Sequence, residues 1–237
     1  MVFLHGLCGG AVHFEGAFES PALAGRGLVA VDLPGFGDSA GDGPAEVTLD
    51  AMAAACRAVF ADLGEAVRPA LVAHSMSASV ASRLLDGISA LVLLEGNIVA
   101  DNLEFSDHLL QIPAENFERE FGRVQQTAEL ILRMQTSLAD GVQRARYGAT
   151  YLACSAAVVR RICQQTNLET RAGETLRRLA DWGRRWFYYV GADGALEEAA
   201  VAAASPQVVV RSVPRARHFI MFDNPGETYS AIARDTA

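Results

Sequence analysis

Short apolar runs punctuate the chain, and each one stops abruptly at a polar or glycine step. They fall at residues 1–4, 27–32, 70–73, 90–94, 186–190 and 207–213, stopping at His5-Gly6, Pro34-Gly35, His74-Ser75, Glu95-Gly96, Gly191 and Pro214. Runs this short, continuous and rich in β-branched residues fit strands buried on both faces, the habit of a parallel sheet. Between the runs, apolar positions recur three and four residues apart. In 49–63 they are Leu49, Met52, Ala53, Cys56, Val59, Phe60 and Leu63, which would share one face of a helix. Further helices are predicted over 77–85, 196–204 and 225–234, the last with Asn224 as a fair N-cap and Pro225 at its first position. Strand–helix alternation of this kind predicts an α/β protein with a doubly wound, mostly parallel sheet.

One stretch breaks the alternation. From 105 to 182 no strand signal occurs, and within 113–138 the residues Phe117, Phe121, Val124, Ala128, Leu130, Ile131, Met134 and Leu138 keep helical spacing. So much helix is too long for a single crossover between two strands. An inserted helical cap over 101–182 is therefore predicted, on a core made of 1–100 and 183–237. No repeat or low-complexity linker separates them, so cap and core are expected to fold together.

Composition narrows the function. The 237 residues carry a net charge of −8, from 28 acidic and 20 basic side chains, and every basic one is arginine. An acidic surface without a basic stripe disfavours a phosphate backbone, so a small-molecule partner is expected and nucleic acid is not. No run approaches the roughly 20 apolar residues of a membrane span, and residues 1–12 lack the basic start and cleavage site of a secretory signal. Cys8, Cys56, Cys154 and Cys163 are scattered, with no C-x-x-C pair. That predicts neither disulfide nor zinc site and a reduced, cytoplasmic protein, with Cys154 and Cys163 filling core space. Nothing in the pattern sets an oligomeric state.

Three strand-end steps carry chemistry. In Ala73-His74-Ser75-Met76-Ser77-Ala78 a buried strand gives way to a helix, with small residues on both sides of Ser75. A nucleophile held on a sharp strand–helix turn needs that smallness, and the helix N-terminus behind it favours developing negative charge. Ala73 and Ser77 stand where glycines are usual. After the first strand, His5-Gly6 frees the backbone to turn and present an N–H. By position, the amides of Leu7 and Met76 would form an oxyanion hole. Arg217-His218-Phe219 follows the last strand, where a histidine can reach across the strand ends to Ser75.

HGLCGG (5–10), VDLPGFGDS (31–39), AHSMSA (73–78) and RHFIMFDNP (217–225) together resemble the α/β-hydrolase superfamily in order and spacing, over nearly the whole chain. Members normally carry about two more strands before the His-Gly step; here the chain begins at that strand, so that sheet edge is expected to be open. The resemblance implies a serine nucleophile, Ser75, a general base, His218, and a carboxylate, with no metal or organic cofactor. A serine there argues against the similar dehalogenases and epoxide hydrolases, which attack with Asp.

Family members place the acid after one of two strands. After 186–190, the usual G-x-x-D spacing falls on Gly194, and Asp193 stands one residue early. After 90–94 stands Glu95, where haloalkane dehalogenases and the luciferase similar to them keep their acid. A carboxylate ending a buried strand is costly without a cationic partner, so Glu95 is preferred and Asp193 remains the alternative. His5, Asn97 and His108 are candidate substrate-binding residues, with Asp107 beside His108 at the cap edge. Asp32 and Asp38 flank the Pro-Gly turn and are expected to brace it. The apolar cap residues Leu109, Leu110, Ile112, Phe117 and Phe121 suggest a small or medium apolar ester, thioester or lactone. Rival readings within the fold are a C–C bond hydrolase or lyase and an acyltransferase; a non-catalytic small-ligand receptor is a rival of another class.

Overall fold

The computed structural model describes residues 1–40, 47–137, 141–194 and 198–237. Six strands form one sheet: β1 (Val2–Leu4), β2 (Val29–Val31), β3 (Ala70–His74), β4 (Ala90–Leu94), β5 (Trp186–Gly191) and β6 (Val208–Val213). Their order is β2-β1-β3-β4-β5-β6 and every neighbouring pair is parallel. The inner strands β1, β3 and β4 are almost wholly buried, as continuous apolar runs require, whereas β2 and most of β6, at the two edges, are half-buried.

In chain order the helices are α1 (Glu15–Glu19), α2 (Leu49–Asp62), α3 (Ser77–Ala81), α4 (Glu104–Leu110), α5 (Phe117–Gln126), α6 (Ala128–Gln135), α7 (Gly141–Ala153), α8 (Ala156–Arg171), α9 (Glu174–Trp182), α10 (Glu198–Ala204), α11 (Ile220–Asp223) and α12 (Pro225–Asp235). Helix α2 packs on α3, and α1 on α12. Thr48 caps α2 by accepting from the Ala51 N–H, and Asn224 caps α12 by accepting from the Glu227 N–H. Between β4 and β5 the regular structure of the described residues is helical, α4 to α9, and α8 is the hub, touching α4, α5 and α9 as well as α2 and α3.

Three predicted helices differ in extent. The one after Ser75 stops at Ala81: the Ser82 hydroxyl bonds back to the Ser79 carbonyl, and the amides of Arg83 and Leu84 reach back three residues instead of four. The run over 113–138 breaks at Thr127, whose hydroxyl takes the carbonyls of Arg123 and Val124 and ends α5; Leu138 lies outside the described residues. The helix predicted over 196–204 is described from Glu198, with 195–197 outside.

Chain direction decides where chemistry can gather. The chain runs from β1 outward to β2, then returns past β1 to β3. Parallel sheets form their crevice at such a reversal, beyond the carboxyl ends of the strands. The segments at 5–10, 75–77, 95–103, 191–194 and 214–219 all emerge on that edge.

Candidate active site

Backbone conformation marks this edge before any side chain is considered. Among the described residues, four that are not glycine adopt positive φ: Cys8 at 57°, Ser75 at 54°, Glu95 at 49° and Arg215 at 54°. Each follows a strand, β1, β3, β4 and β6 in turn. Left-handed backbone costs free energy in residues with a Cβ and persists where the surroundings enforce it, commonly at functional sites.

Ser75 is held from two sides. Its N–H donates to the Leu94 carbonyl at 2.9 Å, and its own carbonyl accepts from the Asn97 N–H at 3.0 Å. The turn at Ser75 is thereby stitched to the end of β4. Gly6 runs so close beneath it that a Cβ there would stand 2.8 Å from His74 Nδ1 and 3.0 Å from Ser75 Cβ. Ser77, the residue in place of the second usual glycine, is fully buried and donates its hydroxyl to the His5 carbonyl. That bond ties the loop after β1 to the start of α3. Among the described residues, the amides of Leu7 and Met76 donate to no protein acceptor, and both residues line the cavity described below.

The carboxylate beside His218 is Glu95. Its Oε2 lies 3.7 Å from His218 Nδ1, and its side chain is 6% exposed. Oε1 accepts from the Gly191 N–H at 2.6 Å. At 3.7 Å the pair is in ion-pair range and longer than a hydrogen bond; such contacts are often long in ligand-free sites. Asp193 is exposed, its backbone N–H bonded to the Ala216 carbonyl, and its carboxylate is not within ion-pair reach of His218. Gly191 is required here, since a Cβ would meet the carbonyl oxygens of Ala216 and Arg217 at 2.5 Å. The loop bearing His218 therefore crosses directly over the end of β5.

The Ser75 hydroxyl turns towards Asn97, donating to Oδ1 at 3.4 Å, and not towards the ring of His218. Asn97 is buried, and its carbonyl accepts from the Thr170 hydroxyl of α8 at 3.1 Å. His74, present in the sequence motif without an assigned role, is fully buried and donates from Nε2 to the His218 carbonyl at 3.0 Å. Burial holds His74 well below the ordinary histidine range, so its ring is neutral.

A cavity of about 570 Å³ lies above these groups. Leu7, Ser75, Met76, Glu95, Asn97, His108, Asp193 and His218 all line it, under an apolar roof that includes Phe105, Ile131, Met134 and Tyr151. His108 is half anchored, its Nδ1 against the Glu104 carbonyl at 2.9 Å. His5 is the predicted site residue that stands apart. It is fully buried behind the loop, with Nε2 accepting from the Leu33 N–H and Nδ1 on the Gly6 carbonyl, so it braces two strand ends and does not line the cavity. Asp107 is paired with Arg171 and Asn167 inside the cap. Asp32 accepts from the Ala11 N–H at 2.7 Å, tying the loop after β1 to the end of β2 rather than bracing the Pro-Gly turn it was expected to hold. All four cysteines are free and buried, and among the described residues no three His, Cys, Asp or Glu side chains are grouped to hold a metal.

Solved structures with this architecture include an esterase from Exiguobacterium antarcticum (TM-score 0.77, 15% identity, covering 99% of this chain and 90% of that one). A thermophilic esterase from Thermogutta terrifontis is similar at TM-score 0.76 and 21% identity, over 98% and 87% of the two chains. The N-formylmaleamic acid deformylase of Pseudomonas putida S16 is similar at TM-score 0.70 and 18% identity, over 98% and 90%. At these identities the likeness is one of fold. No curated protein matches the chain. A model of the alpha/beta hydrolase family matches residues 1–231. Six parallel strands with a carboxyl-edge cavity agree with that match, and the chain belongs to the alpha/beta hydrolase family.

Proposed function

We propose that the protein is a serine hydrolase that cleaves a small or medium apolar carboxylic ester through an acyl-enzyme. The observation that carries this reading is the convergence on one cavity of a strained Ser75, a His218 backed by buried Glu95, and the amides of Leu7 and Met76.

In this mechanism His218 takes the Ser75 proton as Oγ attacks the acyl carbonyl. Glu95 holds the imidazole in its productive orientation and stabilises the imidazolium that forms. The two amides receive the oxyanion, each donor of this kind being worth about 3 kcal/mol to the transition state. The alcohol leaves with the proton from His218, and water, activated by the same ring, releases the acid. The step requires the Ser75 hydroxyl to leave Asn97 Oδ1 and turn to the ring of His218. The esterases among the similar structures support the reaction class, and the aliphatic and aromatic roof supports an apolar acyl group.

The test is a serine-directed fluorophosphonate together with a series of p-nitrophenyl esters of increasing chain length. The wild type is expected to take label at Ser75 and turn over the shorter esters, and S75A to do neither. A wild type that is labelled but hydrolyses none of the esters would instead point to ligand reception without turnover.

A further inference from the structure

The loop that bears His218 is fastened to the cap by one carboxylate. Asp223 closes α11, the short helix that follows His218. Its Oδ2 accepts from the Arg217 N–H at 2.7 Å, next to the base. Its Oδ1 accepts from the Ser137 N–H at 2.6 Å and from the Thr136 hydroxyl, at the end of cap helix α6. One side of this carboxylate thus serves its own loop and the other serves residues 86 and 87 positions earlier in the chain.

Other contacts follow the same seam. The Arg217 guanidinium reaches the Met134 carbonyl at 3.3 Å. Phe219 stacks on Phe222 with ring centroids 5.1 Å apart, and Phe222 stacks on Tyr147 of cap helix α7 at 4.0 Å. Met134, Arg217, His218 and Phe219 all line the cavity. The cap is therefore seated on the residues that flank the base.

We propose that Asp223 is a positioning residue that holds His218 in its working place only while the cap is docked. The proposal rests on the serine-hydrolase reading above. Bonds to an ionised acceptor are short and strong compared with neutral ones, and both carboxylate oxygens are used. With the clasp released on either side, α11 and the Arg217–Phe219 turn lose one of their anchors. Displacement of a reacting group by an ångström costs rate steeply, while Asp223 itself does not line the cavity. The cap then acts on the chemistry through Asp223 as well as by covering the cavity.

The experiment uses the full chain and an alkyl fluorophosphonate, because one chemical step is then read without knowing the substrate: the Ser75 Oγ–P bond forms, the P–F bond breaks, and the proton passes to His218. D223A is expected to label at a saturating rate lower by at least about tenfold, with the half-saturating concentration within about twofold of the wild type. T136V, which removes only the cap-side hydroxyl, is expected to slow labelling in the same way but less, and T136S to restore it. A merely structural role would lower thermal stability and leave the labelling rate of the folded protein unchanged. The clasp is overturned if a T136V/S137P double variant, which removes both cap-side donors, labels at the wild-type rate, whatever D223A does, since Asp223 would then brace the loop without the cap; should D223A fail to fold, that double variant decides. A wild type that takes no label at Ser75 sinks the serine reading instead, a result distinct from a labelled wild type with indifferent variants.

Discussion

At the scale of single residues, the site divides its two carboxylates by burial. Glu95 sits at the end of a fully buried strand, with one oxygen fixed by the Gly191 N–H and the other turned to His218. Asp193 faces solvent. E95Q is therefore expected to lower kcat for an activated ester by about a thousandfold or more, as loss of the orienting acid does in related triads, and D193N to stay within a fewfold; steady-state kinetics on the two variants check this, and the reverse order would move the acid to Asp193. Much of this was legible in the amino-acid sequence, because a serine and a glutamate each stood where an apolar run stopped and a histidine lay just past the last one, and parallel strands deliver such positions to one edge. His5 was misread for a physical reason: a histidine whose two ring nitrogens serve the backbone has the same sequence signature as one that meets a ligand. Asp223 was missed because an acid just before Asn-Pro reads as helix-cap chemistry, and its cap-side partners are remote in sequence. Positive φ at Ser75 and Glu95 had no signal at all, since neither is glycine.

At the scale of elements, the predicted strands were the more legible part. Continuous apolar runs between turn signals each became a strand, two of them at the sheet edges, whereas helix ends were set by hydroxyls, Ser82 behind α3 and Thr127 behind α5, that compete with the backbone ladder. The helices between β4 and β5 meet the rest of the molecule at a second place besides the cavity. Arg83, just beyond α3, pairs with Asp50 of α2 and with Glu169 of α8, and also donates to the Ser79 carbonyl. Its side chain is 9% exposed, while Glu169 is shared with Arg178. R83Q leaves Glu169 partly compensated and several acceptors short of a donor, so a loss of about 1–3 kcal/mol is expected. Urea unfolding followed by circular dichroism measures it. Because α8 is the cap's hub, unfolding is expected to remain a single transition in the wild type, and a cap transition separating from the core in R83Q would show that this network sets the cooperativity.

At the scale of the whole molecule, buried imidazoles set the acid limit. Burial, chiefly, holds His5 at about 4 and His13 at about 3, both below the ordinary 6.5. Between those values and about 6.5 the unfolded chain binds protons that the native protein excludes. Their contribution to stability is therefore fully present above about pH 6.5 and is lost as the pH falls towards 4, by on the order of 3 kcal/mol for His5. Unfolding free energies measured by urea at pH 7 and pH 5 are expected to fall towards the lower pH with more than one proton taken up on unfolding; a flat profile would contradict the burial of these rings. The common direction of the six strands has a consequence at the opposite rim. The cavity and the residues that converge on it lie at the carboxyl termini, away from the amino-terminal connections. The turn that leads into β3, residues 64–68, is exposed throughout and is closed by a bond from the Val67 N–H to the Gly64 carbonyl. A short epitope inserted between Glu65 and Ala66 is expected to leave turnover unaltered, which would make that bend a handle for tethering or labelling the protein without disturbing its chemistry.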